Sequence, residues 1–167
     1  MSMLLNVRSI NKKSGDQRMR IVLQRVKQAS VKVNQQVVGQ IGQGFLLLVG
    51  FGTSDGQKQI DYLVHKISHV RVFADKSGKL NLDIHQVGGE ILSISQFTLY
   101  AALRKGNRPG FSLAQDPVAA QKNYQLFNQA LRAEKLKVAE GIFGADMQVE
   151  LINDGPVTLI YDTDNLV

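Results

Sequence analysis

Residues 19–50, MRIVLQRVKQASVKVNQQVVGQIGQGFLLLVG, decide the architecture of this chain. Ile21, Leu23 and later Val26 are set against Arg20, Gln24 and Arg25, close to the alternation of a half-buried strand. Val31 and Val33 continue the pattern over 30–38, and Gly39-Gln-Ile-Gly-Gln-Gly44 supplies turn residues. Phe45 to Gly50 is then an apolar run of strand length. Successive strands with no helical period between them read as a meander, which joins antiparallel neighbours.

Outward from that stretch, Ile60, Leu63, Val64 and Ile67 fall at helical spacing, with Asp55 as N-cap, and predict a helix over about 56–70. Strand-like Val72–Ala74 precedes an Asp75-Lys-Ser-Gly78 turn, a strand over 80–87, a Gly88-Gly89 break and a strong strand over 91–99. Asp116-Pro117 is a cap and first-turn pair for a second helix carrying Ala120, Tyr124, Phe127 and Leu131 on one face. Two closing strands, 147–152 and 157–161, are read as joined by a turn at Asn153-Asp-Gly-Pro156. Strands cluster at both ends, so the expected class is α/β of the α+β kind: mostly antiparallel or mixed sheets with two main helices on one side.

The length of 167 residues suits one domain with a full core. Residues 1–18 lack a strand or helix period and read as an N-terminal extension, disordered or not native, with a lesser resemblance to a transit peptide that lacks a cleavage signal. The domain proper is 19–167. The extension holds half of the formal charge of +6, so the body is mildly basic, which permits local phosphate contact and argues against a surface built to coat nucleic acid. No apolar run approaches a membrane span, and the chain is expected to be soluble. With no cysteine, disulfides, Cys-rich zinc sites and thiolate nucleophiles are excluded, and a reducing, cytoplasmic setting fits.

Several motifs invite chemistry. Gly52-Thr-Ser54-Asp-Gly56 is a literal GxSxG between a strand and a helix, but its elbow needs an acid and then a histidine later in the chain. The chain offers His65, His69 and His85, the first two on the predicted helix itself, so a capped turn is the plainer reading. Gly50, Gly52 and Gly56 give GxGxxxG, not the dinucleotide spacing. His65 and His69 stand four apart, away from the apolar stripe and without an intervening HExxH glutamate, as on a solvated face. No metal or other cofactor is implied. Read as one strand, 93–99 would put Gln96 and Thr98 on one face and Ser95 and Phe97 on the other, polar groups on both. Such a strand lines a pocket, or else simply buries hydrogen-bonded hydroxyls. Arg104, Lys105 and Arg108 form a small basic loop just beyond it.

Taken together, MRIVLQRV (19–26), LLLVG (46–50), SQFTL (95–99), KGNRP (105–109), FGADM (143–147) and NDGPVT (153–158) resemble the D-aminoacyl-tRNA deacylases, also called D-tyrosyl-tRNA deacylases, in the right order over nearly the whole domain. Gly110 departs from the serine common there, and residues 1–18 have no counterpart. The resemblance implies a homodimeric three-layer β/β/α fold that hydrolyses the ester of a D-amino acid, or mischarged glycine, on the 3′ end of a tRNA, with no DNA or membrane partner. It implies that Ser95, Gln96, Phe97 and Thr98 line the catalytic pocket and that Phe143, Ala145 and Met147 seat the terminal adenosine. It further implies a cis Gly155-Pro156 that enters the other subunit's site to reject L-amino acids, steadied by Arg25.

The absence of a triad, metal cluster or paired acids in the sequence fits such an enzyme. An activated aminoacyl ester can be cleaved by an aligned water and backbone N–H groups, with help from the ribose 2′-hydroxyl. Thr98 is then a positioning group. A serine esterase using Ser54 and a non-catalytic tRNA-binding module using Arg104, Lys105 and Arg108 stay open as alternatives.

Overall fold

The computed structural model describes residues 18–164. The extension read over 1–18 therefore lies outside the described residues except for Arg18, whose Nε donates to Asp164 Oδ2 at 2.8 Å.

The framework is one long strand, β1 (Arg20–Val33), that serves three neighbours. Along one edge its first half pairs antiparallel with β3 (Gly44–Gly50) and its second half with β2 (Gln36–Ile41). Along the other edge it pairs antiparallel with β8 (Gln148–Asp162). Beyond β3 the sheet turns parallel, through β6 (Glu90–Ser95) to β7 (Val138–Glu140). The strand order is β2-β1-β3-β6-β7 with β8 against β1, beside a small hairpin of β4 (Phe73–Ala74) and β5 (Leu80–Leu82). The class is thus the mixed sheet with two helices that the sequence predicts.

Alternation explains the layers. Phe45, Leu47 and Val49 of β3 face the helices, α1 (Gln57–His69) and α2 (Pro117–Ala133), and pack with Ile60, Leu63, Ile67, Phe127 and Leu131. Leu46 and Leu48 face the other way, toward a second core with Val26, Val31, Ile41, Leu92 and Ile94. Both faces of β3 are covered, which is why its sequence is apolar without a break. β1 belongs to both cores: Ile21 and Leu23 lie in the first, Val26, Ala29 and Val31 in the second. The change of face occurs at register shifts around Val26, since an unpaired residue flips the side-chain parity of everything after it.

Five local expectations change. The run 30–38 is split by a hairpin turn at Asn34 and Gln35, both at positive φ, and β2 continues through Gly39, so the turn region read over 39–44 begins later. The N-cap of α1 is Gly56, while Asp55 turns inward. Only 80–82 of the strand read over 80–87 pairs. The strand read over 91–99 stops at Ser95, and the two closing strands are a single strand of 15 residues, because β1 is their partner on both sides of the Asn153–Pro156 segment. The short β7 carries no sequence pattern that announces it.

Candidate active site

β3 and β6 run parallel and end together, with Val49 level with Ser95. Gln96 N–H donates to Val49 O at 2.7 Å, and the chain then coils into a 3₁₀ turn over Phe97–Tyr100. Gly50 makes this close approach feasible: a Cβ there would lie 3.0 Å from Gln96 O and from Tyr100 Cε2. Tyr100 is buried beneath the turn, its hydroxyl donating to Gly50 O at 3.4 Å. Gln96, Phe97 and Thr98 are thereby lifted to the surface instead of alternating across a sheet. Phe97 is 58% exposed and meets Phe111 edge-on, ring centroids 4.9 Å apart. Gln96 Nε2 donates to Thr98 Oγ1.

A cleft of about 660 Å³ opens beside this turn. Ser95, Gln96 and Phe97 form one wall, Phe111 and 114–117 a second, and Phe143–Met147 a third. Each wall is tied to the scaffold. The Phe143 ring leans on Tyr124, centroids 6.0 Å apart, and the Tyr124 hydroxyl donates to Ser93 O at 2.7 Å. Burial pushes the Tyr124 hydroxyl above its ordinary pKa, so it remains a donor. Gln115 Nε2 and Asn123 Nδ2 both donate to Asp55 O, at 3.0 and 3.1 Å, which fixes the second wall against the start of α1.

The expected site residues divide into groups. Ser95, Gln96, Phe97, Phe143, Ala145 and Met147 come together in the cleft, with Thr98 at its edge, next to Phe97 and bonded to Gln96. Gly155 and Pro156 do not join them: they are exposed, outside the cleft lining, at a cis peptide bond within β8. Gln24 pairs with Thr158 and Val26 with Asn153, so 154–157 bulge outward opposite Arg25 alone. Arg25 Nε donates to Asp154 O at 2.8 Å, and Asn153 Oδ1 accepts from Val157 N–H at 2.8 Å. Arg104, Lys105 and Arg108 lie in an exposed loop closed by paired bonds between Ala102 and Gly110, immediately before Phe111. The wall of Phe111, Gln115 and Pro117 escaped the sequence reading. Its one signal is the Asp116-Pro117 helix start, which fixes where the chain returns to the sheet but not what it lines.

The competing motifs dissolve. Ser54 sits exposed in a turn whose Asp55 carboxylate accepts Gly52 N–H at 2.6 Å. His69 Nδ1 contacts His65 O, and His85 Nε2 contacts Glu134 O, so these rings are engaged on their own elements or across to α2's end. Among the described residues no group of three or more metal-type ligands forms, and no helix is long and apolar enough to cross a membrane. None of the three histidines lines the cleft, and its Asp116 caps α2 by accepting Ala119 N–H at 3.1 Å. What the cleft offers a ligand is main-chain groups, the Ser95 hydroxyl, the Gln96 and Gln115 amides, the Asp116 and Asp146 carboxylates and three aromatic rings, with the Thr98 hydroxyl at its edge.

The family model described as D-Tyr-tRNA(Tyr) deacylase matches residues 22–162. A D-aminoacyl-tRNA deacylase of Bifidobacterium animalis subsp. lactis is 54% identical over 157 residues, covering 89% of this chain and 99% of that protein. One from Bifidobacterium adolescentis is 55% identical over the same span and shares. Among solved structures, a "c-Myc DNA Unwinding Element Binding Protein" superposes with TM-score 0.79 at 41% identity, covering 84% of this chain and 96% of that one. A "probable eukaryotic D-amino acid tRNA deacylase" superposes with TM-score 0.73 over 87% of this chain and 99% of that one, and at 19% identity it speaks for the fold alone.

Proposed function

The chain belongs to the D-Tyr-tRNA(Tyr) deacylase family, and on that premise we propose that it hydrolyses the ester joining a D-amino acid, or mischarged glycine, to the terminal ribose of a tRNA. The observation that supports the reading is the cleft itself: a pocket of about 660 Å³ with three aromatic rings in its lining, roomy enough to receive an adenosine bearing an acyl group. Phe143, Ala145 and Met147 seat the adenine side, and the turn at 96–98 receives the ester.

The chemistry asks little of side chains. Water adds to the ester carbonyl, whose oxygen takes up negative charge against the N–H groups of Phe97 and Thr98 at the mouth of the turn. The tetrahedral adduct collapses by expelling the ribose oxygen, protonated with help from the neighbouring ribose hydroxyl. Free amino acid and tRNA leave. Thr98 and Gln96, bonded to each other, orient the acyl group and the water.

Stereochemistry needs a wall, and in this reading a second copy of the chain supplies it. Gly155 and Pro156 are exposed and outside the lining of their own cleft, on a strand that, among the described residues, pairs only with β1. Exposed Ile152 and Ile160 on that strand suit burial against another copy. Main-chain carbonyls of the inserted segment would meet an L side chain but clear a D one, and glycine, lacking a side chain, would pass. The cysteine-free composition fits a cytoplasmic enzyme.

The test is hydrolysis of D-tyrosyl-tRNA and L-tyrosyl-tRNA side by side, with EDTA present and absent. Loss of the D ester alone, insensitive to EDTA, is expected. Binding of tRNA without turnover of either ester would favour a binding module using Arg104, Lys105 and Arg108. Covalent capture of Ser54 by a serine-directed phosphonate would favour the esterase.

A further inference from the structure

Arg20 opens β1, and two of its three contacts fall on the turn that follows Ser95, while the third, to Asp162 at the end of β8, holds the guanidinium in place. Nη1 donates to Leu99 O at 2.8 Å, Nε donates to Asp162 Oδ2 at 3.0 Å, and Cζ stands 4.9 Å from the centroid of the Tyr100 ring. Leu99 O is among the last carbonyls of the turn, groups that lack an intrahelical acceptor role and need an outside donor. The planar guanidinium can supply that donor, hold the carboxylate and lie over the ring at once; an ammonium group cannot. The turn is consequently gripped at both ends, at Gln96 by Val49 of β3 and at Leu99–Tyr100 by Arg20 of β1. Between the two grips stand Phe97 and Thr98.

We infer that Arg20 is a positioning residue for the deacylation step, aiming the Phe97 and Thr98 N–H groups and the Thr98 hydroxyl without touching substrate. The inference rests on the deacylase reading above. A residue that only stabilised the fold would lower the melting temperature and leave the turnover of folded molecules alone. A residue that aims the turn affects the rate at saturation, because small misplacements of reacting groups are costly while binding of the adenosine, on a separate wall, is not disturbed.

The experiment compares wild type, Arg20→Ala and Arg20→Lys for melting temperature and for kcat and KM on D-tyrosyl-tRNA, with L-tyrosyl-tRNA as control. Arg20→Ala is expected to lose about 10- to 100-fold in kcat with KM and the D-over-L preference retained. Arg20→Lys should lie in between, and guanidinium ion at non-denaturing concentration should restore part of the Ala variant's rate where ethylammonium does not. A folded Ala variant with wild-type kcat overturns the inference. If Arg20→Ala does not fold, Asp162→Ala, which removes the acceptor of Nε together with that of Asp164 N–H, decides the matter: a smaller kcat loss in the same direction supports it and an unchanged kcat overturns it. A wild-type protein inactive on D-tyrosyl-tRNA defeats the deacylase reading itself, separately from any result on Arg20.

Discussion

Arg25 Nε lies 2.8 Å from the carbonyl oxygen of Asp154, and the same guanidinium reaches Val72 O through Nη1 at 2.5 Å. One side chain thus braces the protruding part of β8 against the chain that follows α1. The brace stands next to Gly155, where a Cβ would lie 2.8 Å from Val157 N and 3.2 Å from Arg25 Nη2.

Gly155→Ala is accordingly expected to disturb both fold and selectivity. Gly155 has φ +145°, a region L residues rarely adopt, so the substitution should cost about 1–3 kcal/mol in urea unfolding. Displacement of the segment should lower the ratio of D- to L-tyrosyl-tRNA hydrolysis. A folded variant with an unchanged ratio would remove this segment from the selection of handedness.

Thr98→Ala tests whether the hydroxyl attacks or orients. The Thr98 hydroxyl accepts from the Gln96 amide, and no histidine lines the cleft to serve as its base. Loss of one hydrogen bond is worth up to about tenfold in rate, so activity should fall but persist. Abolition of turnover with tRNA binding intact would make Thr98 the nucleophile.

The basic loop should act through phosphate. Replacing Arg104, Lys105 and Arg108 together by alanine should weaken tRNA binding and make log affinity against log salt shallower by about 2 to 3 units, with kcat little changed. An unaltered salt slope would show that the loop stays in solvent when tRNA binds.

Much of this fold is legible in the sequence because it depends on short-range pattern: the Phe45–Val49 run, the Ile60–Ile67 stripe and the Asp116-Pro117 helix start all appear as expected. What escaped depends on partners far along the chain. Nothing between Ser95 and Gln96 signals a strand end, because the cause is Val49 O capturing Gln96 N–H over a glycine at position 50. Asn153-Asp-Gly-Pro156 has turn chemistry but does not reverse the chain, since β1 waits on both sides of it. Resemblance named the residues of the cleft, while periodicity alone placed Gln96 and Phe97 on opposite faces of a strand that is not there.

Alkaline pH should act on stability through two phenols, buried Tyr124 and half-buried Tyr161. Burial raises the pKa of Tyr124 and Tyr161 above the ordinary value of 10.0. Below that value both folded and unfolded chains keep these protons, and their contribution to stability is fully present. As pH rises further the unfolded chain releases them first, so stability falls until the folded pKa values are passed, by up to about 1.4 kcal/mol per pH unit for buried Tyr124 and by less for half-buried Tyr161, whose phenol solvent screens. Unfolding at pH 9 and pH 11 should show a smaller decline in a Tyr124→Phe, Tyr161→Phe double variant than in wild type. An equal decline would assign the alkaline loss to other groups.

The bulge of β8 places residues 154–157 opposite Arg25 alone, while the ladders on either side keep their pairing. It therefore behaves as a spacer whose length is independent of the two cores it separates. Residues added or removed there change how far Gly155 and Pro156 project, yet Val149 and Leu151 still face one core and Leu159 and Tyr161 the other. The reach of this projection is a dimension that evolution or engineering can adjust without rebuilding the domain.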